Sequence, residues 1–232
     1  MNKFFRMLRH RAYFRAFIDP KSEKAIIERF HRLYYDLHLF GKTWKQTYWF
    51  GVQTNKCPLD LWVYQEILFA LRPDLIIETG TDNGGSAAFL ASMCDLLNKG
   101  RIITIDLQSR PDRPQHPRIQ YLLGSSTDET ILKNVREQAA GKETILVILD
   151  SDHRKPHVLN ELRVFSQLVT LGSYLIVEDS NLNGHPVHPD HGPGPMEAIH
   201  EFLKETNDFV IDQDKEKFLM TFNPNGYLKK VK

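Results

Sequence analysis

Five short apolar runs recur between residues 75 and 178, and none of them alternates with polar residues. They are Leu75-Ile76-Ile77-Glu78, Arg101 to Asp106, Ile119 to Leu123, Thr144 to Asp150, and Ser173 to Glu178. Successive side chains of a strand point to opposite faces, so a strand apolar at every position must be covered on both sides. Segments with helical spacing at 84–98, 127–139 and 157–168 stand between the runs and supply that cover. The pattern predicts a doubly wound α/β fold with a mostly parallel sheet. A further helix over 195–205 and strands over 209–212 and 218–222 complete the prediction.

An N-terminal helical and aromatic extension, residues 1–50, precedes this domain of residues 51–232. Its apolar positions Ala25, Ile26, Ile27, Phe30, Leu33, Tyr34 and Leu37 have helical spacing, and Trp44, Tyr48, Trp49 and Phe50 follow in a loop. Pro58 opens a helix that runs to Leu71. The 232 residues suit one large domain, and a formal net charge of +1 gives no signature for nucleic acid. Two cysteines without metal spacing fit a reducing compartment and a cytoplasmic protein. No apolar run has the length of a membrane span. The basic, aromatic start (residues 1–15) has two readings. It is a peripheral membrane contact, or it packs on its own domain or a second copy. The bulky aromatics of the first fifty residues point to a homo-oligomer.

In doubly wound sheets ligands sit at the carboxyl ends of the strands. Here three strands end on an acid, Glu78, Asp106 and Asp150, and a fourth ends on the pair Glu178-Asp179. Clustered carboxylates repel unless a cation or polar ligand offsets them. The first strand runs into Glu78-Thr79-Gly80-Thr81-Asp82-Asn83-Gly84-Gly85-Ser86. The glycines suit a tight turn and a ligand close to the backbone at a helix N-terminus. The dinucleotide pattern G-x-G-x-x-G is absent, as is the Gly-Lys-Ser/Thr of a P-loop. Glu78 would repel a pyrophosphate but suits an ammonium group, and Asp106 is placed to accept ribose hydroxyls. Together they predict a nucleoside that carries an amino acid.

The glycine loop resembles motif I of class I S-adenosylmethionine-dependent methyltransferases. Three further segments resemble the cephalosporin hydroxylase / rhamnosyl O-methyltransferase family. They are Lys56 to Glu66, Gly124 to Asp128, and Leu149-Asp150-Ser151-Asp152-His153 taken with Gly172 to Asp179. The resemblance implies a Rossmann-like class I methyltransferase fold. It also implies S-adenosylmethionine bound by Glu78, Gly80, Thr81, Gly84, Gly85, Ser86, Asp106, Leu107 and Asp150, with Ser125 and Ser126 near the adenine. The activity implied is a Mg2+-dependent O-methyl transfer to a hydroxyl of a small molecule, sugar or natural product.

Asp150 or Asp152, with Glu178 and Asp179, offers hard oxygen donors that suit Mg2+. His153, three residues after Asp150, has two readings, a general base or an outer partner of the metal site. The segment Asn183 to Pro195 carries His185, His188 and His191, but its prolines and glycines break any helix that would align them on zinc. It reads as a loop that covers the substrate, and Trp44, Tyr48, Trp49 and Phe50 either close the same pocket or belong to the core. Two alternatives share these residues. One is a binding subunit that keeps the fold and transfers nothing. The other is a hydroxylase whose iron is held by two histidines and a carboxylate.

Overall fold

The computed structural model describes residues 5, 7–9, 12 and 19–232. Much of the basic start lies outside them. Elements are numbered from Pro20 onward. Helix α1 (Pro20–Asp36) is capped by the Asp19 carboxylate, which accepts from the Lys21 and Ser22 amides. A two-stranded hairpin, β1 (Tyr48–Trp49) and β2 (Val52–Gln53), leads to α2 (Pro58–Leu71). The alternating part then runs β3 (Leu75–Thr79), α3 (Gly85–Leu96), β4 (Arg101–Asp106), β5 (Ile119–Leu123), α4 (Glu129–Ala139), β6 (Ile145–Leu149), α5 (Lys155–Phe165) and β7 (Tyr174–Val177). Helix α6 (Pro195–Glu205), β8 (Phe209–Ile211) and β9 (Tyr227–Lys230) close it.

The seven main strands lie in the order β5-β4-β3-β6-β7-β9-β8. All neighbours are parallel except at β9, which runs antiparallel between β7 and β8. Strands β3 and β6 are buried at every position; the sequence of β6 and the first three residues of β3 are apolar throughout, while Glu78 and Thr79 end β3 as buried polar residues. One face of the sheet packs against α4, α5 and α6 through residues such as Val135, Leu162 and Phe202. The other packs against α2 and α3 through Tyr64, Ile67 and Leu90. The chain order reverses between β3 and β6, and the strand ends there open into one cavity. Among the described residues no helix is long and apolar enough to cross a membrane.

Residues 218–222 do not form the expected strand; the antiparallel strand is β9. The apolar side chains of that segment have another use. Met220 and Phe222 are buried against Cys57, Tyr34, Tyr35 and Trp44. The segment is also pinned by a buried carboxylate. Asp60 accepts from the Phe222 amide (2.9 Å), the Thr221 hydroxyl (2.5 Å) and the Tyr227 hydroxyl (3.0 Å). His31 of α1 stacks on Phe222 at 5.6 Å, which ties the extension to the same cluster. The expected aromatic lid divides accordingly. Trp44 reaches the cavity and Trp49 packs on Phe89, while Tyr48 and Phe50 are exposed at the hairpin.

Burial pushes Asp60 up to about 7, against its three hydrogen bonds. The folded chain therefore holds a proton there that the unfolded chain, with an ordinary value of 3.8, has released. Stability from this group is full below the unfolded value and is lost as pH rises toward 7. Asp60→Asn should flatten the fall in urea stability between pH 5 and 7.5 relative to wild type. An unchanged slope would show that Asp60 is ionised throughout that range.

Candidate active site

The cavity at the strand ends has a volume of about 740 Å³. It is lined by Thr81, Asp82 and Asp106, by Asp150, His153 and Asp179, and by Trp44, His188 and His191. Ser125, Ser126, Ser86 and the exposed Leu107 also reach it.

The glycine loop is built for close packing of protein on protein. Gly80 has φ of +85°, and a Cβ there would lie 1.8 Å from the Asp150 carbonyl oxygen. This contact locks the loop against the end of β6. A Cβ on Gly84 would meet Pro114 at 2.9 Å, and one on Gly85 would meet the Gln53 carbonyl at 2.3 Å. Gly84 and Gly85 thus seat neighbouring chain segments and do not line the cavity, whereas Gly80 does. Glu78 differs from expectation in the same way. It is fully buried, with one oxygen bonded to Ser86 Oγ and the other accepting from Thr104 Oγ1 at 2.7 Å. Its carboxylate lies under the cavity floor, where burial raises its pKa. Asp106 does line the cavity, and its orientation is fixed. Its Oδ2 accepts from the Asp82 amide and Arg113 Nη2, each at 2.8 Å, and its Oδ1 accepts from the Gln108 amide at 2.9 Å.

Parallel pairing of β6 with β7 brings Asp150 and the Glu178-Asp179 pair together. The carboxylates expected to hold one cation, Asp150 or Asp152 with Glu178 and Asp179, do not all converge. Asp150, Asp179 and His153 form one group, with donor atoms within 4.8 Å of one another. His153 Nε2 lies 3.2 Å from Asp179 Oδ2 and 3.9 Å from Asp150 Oδ1. Glu178 turns inward, where its Oε1 accepts from Tyr64 Oη at 2.8 Å and its Oε2 lies 2.6 Å from Lys56 Nζ. Asp152 is exposed and accepts from the Arg154 amide at 3.0 Å, bracing the turn before α5. The physical reason for the split is Lys56. Its ammonium is buried and bridges Glu178 and Asp150 Oδ2. Burial works to lower its pKa, but the charges of Asp150, Glu178 and Glu78 outweigh that and hold it well above the ordinary value. Burial and the neighbouring Asp150 charge push Glu178 up to about 7, against the pull of Lys56.

Lys56 had no role in the sequence reading, although it opens one of the quoted segments. One signal was there: four strand-end acids need a counter-charge, and this lysine immediately precedes the helix that packs beneath them. Asn223, which accepts from the Asp179 amide at 3.2 Å and donates to Tyr64 Oη at 3.1 Å, had no such signal. The His185–His191 loop assembles differently from a zinc site. His185 Nε2 pairs with Glu197 at 2.8 Å, while His188 and His191 face the cavity with ring centroids 5.7 Å apart. The Gly194 amide, His185 and Asn183 outweigh burial and hold Glu197 at about 2, so the loop is anchored by a charged cap.

The chain matches the family described as Rhamnosyl O-methyltransferase/CmcI over residues 41–231. It belongs to that family. A rhamnosyl O-methyltransferase of Mycobacterium tuberculosis is 38% identical over 94% of this chain and 90% of its own length. One from Mycobacterium leprae is 40% identical over 88% of this chain and 90% of its own. A solved CmcI structure described as containing Mg and SAM has a TM-score of 0.64 at 24% identity, covering 81% of this chain and 78% of that one. The chain is an O-methyltransferase with the fold of that enzyme class. The single imidazole grouped with two carboxylates is also the reverse of the donor set that a two-histidine iron site requires.

The contact between Gly80 and Asp150 should make Gly80→Ala costly. We expect a loss of about 2–4 kcal/mol, from strain at positive φ and displacement of the β6 end. Urea unfolding checks this, and a loss below about 1 kcal/mol would show that the loop and β6 are not locked together.

Proposed function

We propose that the enzyme transfers a methyl group from S-adenosylmethionine to a sugar hydroxyl, with Mg2+ held by Asp150 and Asp179. The observation that carries the proposal is the convergence of Asp150, Asp179 and His153 in the same cavity as Asp106 and the glycine loop. The donors fit a hard divalent cation. Asp150 Oδ1 and Asp179 are turned to the cavity, and water can complete the oxygen shell such an ion prefers. Bound there, the ion would lower the pKa of an acceptor hydroxyl that shares it.

This chain's residues do the rest. Asp106, fixed by Arg113 and the Asp82 and Gln108 amides, offers its carboxylate to the ribose hydroxyls. Thr81 and Asp82 hold the amino-acid end of the donor, and Ser125 and Ser126 lie on the side of its base. His153 Nε2, within 4 Å of both carboxylates, is placed to take the hydroxyl proton as the oxygen accepts the methyl group. Tyr35 and Trp44, stacked with ring centroids 5.5 Å apart, form an aromatic wall of the cavity that His188 and His191 also line. Such a wall suits the C–H face of a sugar ring, and the mycobacterial relatives named rhamnosyl O-methyltransferase support that acceptor class. Self-association of the chain is supported by an exposed apolar stripe on α1, made of Ile26, Phe30 and Leu33.

Incubation with labelled S-adenosylmethionine, Mg2+ and a panel of rhamnosides and other glycosides tests the reading, and label should pass to a sugar oxygen only when Mg2+ is present. His153→Gln should lower kcat by about 10²–10⁴-fold with the dissociation constant of S-adenosylhomocysteine unchanged. Asp179→Asn should abolish Mg2+-dependent turnover and likewise spare cofactor binding. Full activity in EDTA, or in Asp179→Asn, would contradict the metal assignment.

A further inference from the structure

A second cavity, of about 590 Å³, shares two walls with the first. Helix α1 supplies one of them. His31 lines the second cavity, and Tyr35, about one helical turn further on, lines the first. The loop after β7 supplies the other. Gly184, His185 and Pro186 face the second cavity, while His188 and His191 face the first. The two walls are tied to each other. Arg32 Nε donates to the Pro186 carbonyl at 2.9 Å, and His31 Nε2 lies 2.9 Å from Asn181 Nδ2. Glu216, Leu219 and Pro224 close the second cavity from the C-terminal side. An acceptor that continues past Tyr35 and His188 therefore meets a ready-made space.

The chemistry of that space suits a sugar. Glu23, Glu28 and Glu216 offer carboxylate oxygens, which when ionised only accept hydrogen bonds and so match hydroxyl donors. Glu28 is loosely paired, 3.8 Å from Lys24 Nζ and 3.7 Å from Arg32 Nη2, and can still accept from a hydroxyl. Ile27, Leu219 and Pro224 give apolar surface for the C–H face of a ring. Among the described lining residues three carboxylates stand against one lysine, Lys24. Burial lowers His31 to about 4, so it adds no positive charge near neutral pH. An anionic ligand is thereby disfavoured. We infer, resting on the sugar-acceptor reading given above, that the second cavity is a subsite for a neutral sugar unit joined to the one that is methylated. The enzyme is thus built for an oligosaccharide and not for a free monosaccharide. Contacts to a unit remote from the reacting hydroxyl hold ground state and transition state alike, so they act on KM with little change in kcat.

The test follows label from S-adenosylmethionine into methyl rhamnoside and into its disaccharides, extended at either end by a neutral hexose or by a hexuronic acid. The better neutral disaccharide should have a kcat/KM at least about tenfold above that of methyl rhamnoside, with the gain in KM and kcat within about threefold. Its hexuronic acid counterpart should fall back to the level of methyl rhamnoside. Ile27→Trp narrows the second cavity, and Glu28→Gln removes a charged acceptor from it. Each should shrink the advantage of the disaccharide to about threefold or less, with kcat/KM on methyl rhamnoside within about twofold of wild type. Equal kcat/KM for methyl rhamnoside and every neutral disaccharide overturns the inference and leaves the sugar-acceptor reading standing. So does an undiminished advantage in both variants. Transfer to none of these sugars overturns the sugar-acceptor reading itself, and the subsite with it.

Discussion

The ammonium of Lys56 is the charge on which the carboxyl end of the sheet depends. Topology forces acids together there, because β3, β6 and β7 are adjacent and each carries a carboxylate within one residue of its carboxyl end. Placing such groups side by side out of water is unfavourable without a counter-ion. The protein supplies one permanently, from the segment that enters α2, and braces it with hydroxyls. Tyr64 reaches Glu178 from α2, while Ser86 and Thr104 hold Glu78. The extension and the C-terminal segment then close around this arrangement. Asp60 pins residues 221 and 222, and Asn223 carries the connection on to the Asp179 amide. Structure and site are therefore one network. The segment that enters the helix packed beneath the sheet delivers the lysine that pairs with Asp150 and Glu178.

Much of the fold was legible because its strands carry their burial in their composition. Residues 75–77 and 145–149 are apolar and unbroken, and a strand covered on both faces satisfies them. Helix ends were legible where Pro58 and Pro195 mark the first turn. The reading failed where an apolar segment is buried without pairing. Residues 218–222 have strand composition, yet their side chains fill an aromatic cluster and their backbone is bonded to Asp60. No local pattern distinguishes the two uses, since both bury the same side chains.

The site was legible as a set of residues but not as a geometry. Strand-end acids could be listed from the sequence, and adjacency of β6 and β7 brought Asp150 near Asp179. Which way each carboxylate faces depends on partners distant in sequence. Glu178 faces inward because Tyr64 lies 114 residues earlier in the chain and waits for it. Gly84 and Gly85 looked like ligand contacts, but Pro114 and Gln53 occupy the space beside them. Glycine in a loop reports a close approach without saying what approaches.

The proposed cation site is the cavity-facing group of Asp150, Asp179 and His153. The most direct measurement is anomalous scattering from crystals grown with Mn2+ and S-adenosylhomocysteine. One strong peak bounded by Asp150 and Asp179 is expected. A peak among His185, His188 and His191, or none beside Asp150 and Asp179, would contradict it.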